Sequence, residues 1–226
     1  MSTLTGAFHW LTTGSSWRGG EGIATRLGQH LMLTGASVGI ACAVALPVGI
    51  GLGHLGRGGT LAINVSNIGR AVPTFAVLVL LAIGPLGLGD TTTITALTLF
   101  AIAPLVTNSY VGMREVDPGA IEAARGMGMS GAQVLRRVEL PLALPMILLG
   151  LRLAAVQVVA TATIAAFING GGLGRFVVDG LANNQRDRVV GGAILVAVLA
   201  LLVDGLLFAL SRLLSGAPRT RSRASA

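Results

Sequence analysis

Long apolar runs alternate with short polar interruptions along this chain, and their lengths predict helices that cross a membrane. From Leu27 to Gly56 there is no Asp, Glu, Lys or Arg. A first helix over Leu31 to Gly53 would be about 34 Å long at ~1.5 Å per residue, enough to span a hydrocarbon core. Pro47 should kink it. Gly35 and Gly39 form a small-xxx-small pair that either admits another helix closely or is merely a permissive surface. A second helix is expected from about Leu61 to Leu88, polar in its first half (Asn64, Ser66, Asn67, Arg70), uncharged from Ala71 to Gly89, with Pro73 where the halves meet. Irregular backbone at membrane depth needs protein or water partners, so this segment reads as a broken helix lining a pathway or as a helix entering the bilayer obliquely. Further spans are expected over Thr91 to Met113, Leu142 to Ile168 and Val189 to Leu210. The third carries Pro104, Asn108 and Tyr110 near its end. The expected fold class is all-α: a polytopic membrane protein of about five transmembrane helices. Asn67, Pro73, Asn108 and Thr163 are the candidates for lining a pathway.

Around this domain, residues 27–212, the sequence places an N-terminal segment, 1–26, and an arginine-rich tail, 213–226. The first is rich in Ser, Thr and Gly, with Trp10 and Trp17 suited to the membrane interface. It lacks the basic, apolar and small-residue order of a signal peptide.

The one long polar interruption is Asp117 to Pro145, which overlaps a loop spanning 114–141. Asp117 is a good N-cap, and Pro118 fits the first helical position. Ser130 and Gln133 have capping-box spacing. Gly126 and Gly128 between them allow a left-handed turn. Two short helices joined by a glycine turn are predicted. Ala120, Ala123 and Ala124 make the first thin enough to lie close to a partner, and Val134, Leu135 and Val138 give the second an apolar stripe. A solvated loop helix and a docking element both fit this pattern.

Composition narrows the function. Of 226 residues 53% are hydrophobic and 11% charged, with a mean hydropathy of +0.79, too apolar for an ordinary soluble domain. The net charge of +7 comes from sixteen arginines against nine acids, with no lysine. A pI near 11.5 could suggest nucleic acid, but aromatics are 4% and the arginines lie between apolar runs, so no nucleic-acid partner is expected. Without lysine there is no Walker A loop and no Schiff base. Cys42 is the single cysteine, which excludes an intrachain disulfide and a cysteine metal cluster. His9, His30 and His54 have no ligand spacing and read as polar residues near membrane ends. Arg152 and Asp204 lie within helices at depths differing by roughly 6 Å. An intramembrane arginine usually has a partner, so they pair, or Arg152 snorkels to water.

Glu122, Ala123 and Ala124, then Gly128, then nine residues to Val138, Glu139, Leu140 and Pro141, resemble the EAA loop of bacterial ABC importer permeases, with Val138 where the family has Ile. The segment NIGRAVPTFAVLVLLAIGPLGLG resembles the second helix of permeases for glycine betaine, carnitine and choline. Ile168 to Gly174 is similar to a glycine turn in the same subfamily, from which Asn169 departs. The resemblance implies the type I importer permease fold, with Glu122, Ala123, Ala124, Gly128, Val138, Leu140 and Pro141 forming a coupling helix that docks on a cytoplasmic ATPase. It further implies a second permease chain, a separate extracytoplasmic binding protein and a place in the bacterial inner membrane. ATP hydrolysis would belong to another chain, and no cofactor is expected in this one. With the loop cytoplasmic, ten arginines lie on that side and five opposite, so the positive-inside rule puts the N-terminus out and the C-terminus in. A permease of the same architecture for methionine or another amino acid is the alternative. An ion-coupled transporter would leave the EAA loop unexplained, and a membrane enzyme lacks a convergent catalytic set.

Overall fold

The computed structural model describes residues 3–60, 64, 72–168 and 170–215. Asn67, Ser66, Arg70, Asn169 and the arginines of the tail lie outside them. Where sequence analysis sees only a polar segment, the chain opens with helix α1, Thr3–Thr12, and a 3₁₀ turn, Gly14–Trp17. Helix α2, Ile23–His54, follows; α3 is Thr74–Ile83 and α4 Asp90–Arg114. The polar interruption folds into α5, Pro118–Gly126, and α6, Gly131–Val134. A π-helical turn, Leu135–Glu139, leads into α7, Leu140–Ala165, which ends in a 3₁₀ turn, Ala166–Ile168. Helices α8, Gly174–Ala182, and α9, Arg186–Ser215, complete the described chain.

Among the described residues, four stretches are long and apolar enough to cross a membrane: Ile23–His54, Asp90–Arg114, Gly131–Ile168 and Arg186–Leu214. Most of the first half of the second expected span, 61–63 and 65–71, lies outside the described residues, and the helix in its second half is shorter than the apolar run there. Helix α3 has ten residues, about 15 Å at ~1.5 Å each, and stops at Ile83 rather than Leu88. Pro85 disfavours helix at the residue before it, and Gly84 is extended, while Gly87 and Gly89 take positive φ. The first span begins earlier than expected, at Ile23, and its 32 residues run without a break through Pro47.

Helix α4 lies between α2 and α7, and α9 packs on α7, α8 and α1. Small residues make the close contacts possible. Ser37, Ala41, Ala45, Gly49 and Gly53, four apart, are all buried along one stripe of α2. A Cβ at Gly49 would lie 2.8 Å from the Val106 carbonyl oxygen and would strike Ser109. On the other side of α4, a Cβ at Gly150 of α7 would lie 2.7 Å from that of Asn108. Ala41, Ala45, Leu97, Ala101, Leu105, Ala154 and Val158 fill the space between. Lipid tails are as apolar as these side chains, so association rests on close packing. Gly35 and Gly39 are exposed with nothing near them; the glycines of α2 that admit α4 are Gly49 and Gly53.

Candidate coupling site and intramembrane polar residues

Both ends of α5 are built locally. The Asp117 carboxylate accepts from the Gly119 N–H at 2.9 Å, and Pro118 occupies the first turn. At the other end Gly128 has φ +81°. Its N–H donates to the Arg125 carbonyl at 2.9 Å, and the Met129 N–H reaches back to that of Ala124 at 3.2 Å. This crossed pair is the Schellman closure that a left-handed residue allows. Ser130 and Gln133 then form a reciprocal capping box, with the Ser130 N–H on Gln133 Oε1 at 2.8 Å.

Packing gives α5 two faces. Ile121, Leu135 and Leu140 pack against Met113, Val116, Ala143 and Ile147, which fixes the short helices to the ends of α4 and α7. Ala124 is buried, and Val138 and Leu140 are half-buried. Glu122, Ala123, Arg125, Gly128 and Pro141 are exposed. Met127, which sequence reasoning passed over, is 72% exposed at the tip. An apolar side chain between two glycines at the end of an anchored helix is suited to insertion into a groove.

Glu139 occupies the variable position of the motif, and sequence analysis gives it no role. It is buried, 3% exposed, and its Oε2 contacts Nδ1 of His54, the last residue of α2. The π turn that contains it ends with the Leu140 N–H bonded to the Leu135 carbonyl, five residues back. Pro141 follows, with no N–H to continue the ladder.

Of the candidate pathway residues, Asn67 lies outside the described residues, and Asn108 and Thr163 stand at different depths. Pro73 is the N-cap of α3. Asn108 donates from Nδ2 to the carbonyl of Pro104 in its own helix at 2.8 Å and packs on Gly150. Thr163 is thirteen residues further along α7, about 20 Å away. Among the described residues, its Oγ1 is the buried side-chain polar atom without a hydrogen-bond partner.

Arg152 and Asp204 form a bidentate pair, Nε to Oδ1 at 2.7 Å and Nη2 to Oδ2 at 2.9 Å. The Phe208 ring lies 4.9 Å from the Arg152 guanidinium and 4.6 Å from that of Arg212.

At the opposite end from α5, the glycine turn before α8 is clamped to α2. The Gly172 N–H donates to Gln29 Oε1 at 3.1 Å and the Leu173 N–H to His30 Nδ1 at 3.3 Å. His30 Nε2 faces the Val159 carbonyl oxygen at 3.0 Å. A carbonyl can only accept, and an amide N–H can only donate, so the ring is neutral with its proton on Nε2. His30 is fully buried, where its sequence suggests only a polar residue near a membrane end. Outside it opens a groove of about 1120 Å³, lined by Trp10, Arg18, Glu21, Arg186, Asp187 and Arg188 among others. Among the described residues no group of three or more His, Cys, Asp or Glu gathers to hold a metal.

The family model described as binding-protein-dependent transport system inner membrane component matches residues 43–216. The chain is 39% identical to the carnitine transport permease protein OpuCB of Listeria monocytogenes, over 86% of this chain and 87% of that one. It is 36% identical to the glycine betaine/carnitine/choline transport system permease protein OpuCB of Bacillus subtilis, over 82% and 85%. It is 40% identical to the osmoprotectant import permease protein OsmY of Salmonella typhimurium, over 84% and 81%. Among solved structures, an inward-facing form of the MetNI methionine ABC transporter superposes with a TM-score of 0.72 at 23% identity, covering 83% of this chain and 93% of that one. An amino acid ABC transporter solved with histidines gives 0.70 at 24%, covering 84% and 92%. At these identities the two structures share the fold.

Proposed function

This chain belongs to the inner membrane components of binding-protein-dependent transport systems, and from that membership we propose that it is the permease subunit of an ATP-driven importer of quaternary-ammonium osmoprotectants. Glycine betaine, carnitine, choline and proline betaine are the candidate substrates. The observation that carries this reading is the set of relatives named for carnitine, glycine betaine, choline or osmoprotectant transport, aligned over 82% or more of the chain at 36% identity or better. A methionine or amino acid substrate has only the shared fold in its favour.

In this reading α5 docks on a cytoplasmic ATPase through Glu122, Ala123, Gly128 and the exposed Met127. Ala124, Val138, Leu140 and Pro141 seat the helix. Because Ile121, Leu135 and Leu140 lock α5 to α4 and α7, closure of two ATPases would move those helices as one body. The shift between inward-facing and outward-facing states then follows from the differential affinity of the closed ATPases for the two. A second permease chain supplies the other wall of the pathway. A separate binding protein delivers substrate at the groove beside Arg18, Arg186 and Arg188. Arg57, Arg114, Arg125, Arg136, Arg137 and Arg212 lie at the α5 end of the bundle, which supports a cytoplasmic α5.

Ion coupling would need a free intramembrane carboxylate. Asp204 is held by Arg152 through both oxygens, which argues against that role. The test is uptake into proteoliposomes holding this chain, the ATPase and the binding protein. Uptake of labelled glycine betaine or carnitine should require ATP and the binding protein, persist without an ion gradient, and resist competition by methionine. Competition by methionine instead would overturn the substrate assignment.

A further inference from the structure

Among the described residues Glu139 is the only buried acid. Its side chain is 4% exposed, that of His54 22%, so water reaches the imidazole and hardly reaches the carboxylate. Taking a carboxylate out of water is unfavourable unless a partner compensates, and the His54 imidazole is its partner here. The two come from distant parts of the chain. His54 ends α2, and Glu139 ends the π turn that joins the docking helices to α7. Leu46 and Ile50, in the last turns of α2, pack on the same cluster that anchors α5. The pair is the polar tie at the rim of that contact.

We propose that His54 and Glu139 are a positioning pair for energy coupling, fixing the end of α2 to the base of the docking segment so that a displacement of α5 moves α2 together with α4 and α7. The proposal rests on the reading of α5 as the ATPase-docking helix. Apolar packing resists separation but allows sliding, whereas a directional contact to a buried carboxylate fixes distance and angle. Without the pair, α5 would remain anchored through Ile121, Leu135 and Leu140, so the ATPase would still dock. What would weaken is the transfer of its motion to α2.

The experiment measures substrate molecules imported per ATP hydrolysed, in proteoliposomes with the ATPase and the binding protein, together with co-purification of the ATPase. The variants are Glu139→Ala, Glu139→Gln and His54→Ala. All should retain the ATPase. Glu139→Ala and His54→Ala should lower the import-to-hydrolysis ratio by roughly three- to thirty-fold, the range of couplings carried through residues outside either site. Glu139→Gln, which can still hydrogen-bond the imidazole, should keep most of the wild-type ratio. Import and hydrolysis that stay full or fall in proportion in the alanine variants would reduce the pair to a structural contact and overturn the proposal. Should either alanine variant fail to assemble, the double variant Glu139→Ala with His54→Ala decides, because it leaves no buried charge without a partner; a wild-type ratio there also overturns it. Failure of the docking reading is distinguishable, since the wild-type chain would then capture no ATPase at all.

Discussion

Arg152 and Asp204 face each other across α7 and α9 with both hydrogen bonds of a planar fork made, at 2.7 and 2.9 Å. Helix α9 has little else of this kind, for Leu201, Leu202, Leu206 and Leu213 all point away from the bundle. Apolar side chains facing lipid give no preference for one register over another, whereas a bidentate pair does.

It follows that Arg152→Leu and Asp204→Leu should each lower the thermal midpoint of the detergent-solubilised chain by several degrees, because each leaves one charge unpaired among apolar helices. The double variant should recover most of the loss. Fluorescence-monitored melting of all three against wild type checks this, and a double variant as unstable as the sum of the singles would contradict it.

At the docking tip, Gly128→Val places a β-branched residue at φ +81°, which should cost about 1–2 kcal/mol in the turn and misdirect Met127. Glu122→Lys reverses an exposed charge without touching the fold. Both variants should insert normally yet lose ATPase co-purification or stimulated hydrolysis. Full transport by both would remove the docking role from α5.

How much of this was legible varies with the range of the forces involved. Asp117, Pro118, Ser130, Gln133 and Gly128 act on neighbours within a few residues, so the two short helices and their turn could be read directly. The end of α3 at Ile83 was written locally too, in Pro85 and its flanking glycines, but the apolar run to Leu88 masked it. The packed face of α2 was half-legible: small residues recur every fourth position from Ser37 to Gly53, yet Gly35 and Gly39 have the same spacing, and only the position of α4 selects between them. The contacts of His30 and Glu139 lie 129 and 85 residues away along the chain, and no periodicity encodes such distances. Likewise Asn108 and Thr163 look alike as polar interruptions of apolar helices, though α7 holds them far apart.

The clamp around His30 gives a prediction that the sequence alone would not. His30→Ala removes a partner from both the Val159 carbonyl and the Leu173 N–H. A buried polar group left unpaired costs about 1–3 kcal/mol, so the variant should melt well below wild type. It should also expose the glycine turn, increasing hydrogen exchange at Gly172 and Leu173. Unchanged exchange there would show that the turn is held by something else.

Orientation is tested by labelling. In a Cys42→Ala background, a cysteine replacing Ser130 should react with an impermeant thiol reagent only from the cytoplasmic side, and one replacing Asn183 only from outside. Both positions are exposed, so access is governed by the membrane alone. Labelling of the Ser130 position from outside would reverse the topology.

A final prediction concerns where substrate is recognised. A quaternary ammonium cation has no N–H to donate, so tight binding relies on the faces of several aromatic rings. This chain has two Trp, one Tyr and six Phe. Trp10 is spent on Phe176, with ring centroids 5.0 Å apart, and Phe208 is covered by Arg152 and Arg212. Phe75 and Phe167 do meet, which their sequence spacing does not suggest, at 6.0 Å and 81°, and each is about half exposed. In this edge-to-face contact one ring turns its rim to the other, which leaves fewer free faces than a tight cage needs. The isolated permease should therefore show no saturable binding of labelled glycine betaine or choline at micromolar concentrations. The complete system should acquire its selectivity only when the binding protein is added. Phe75→Ala should change transport rate without altering which substrate is preferred. A saturable micromolar site on the permease alone, abolished by Phe75→Ala, would move the selectivity from the binding protein into this chain.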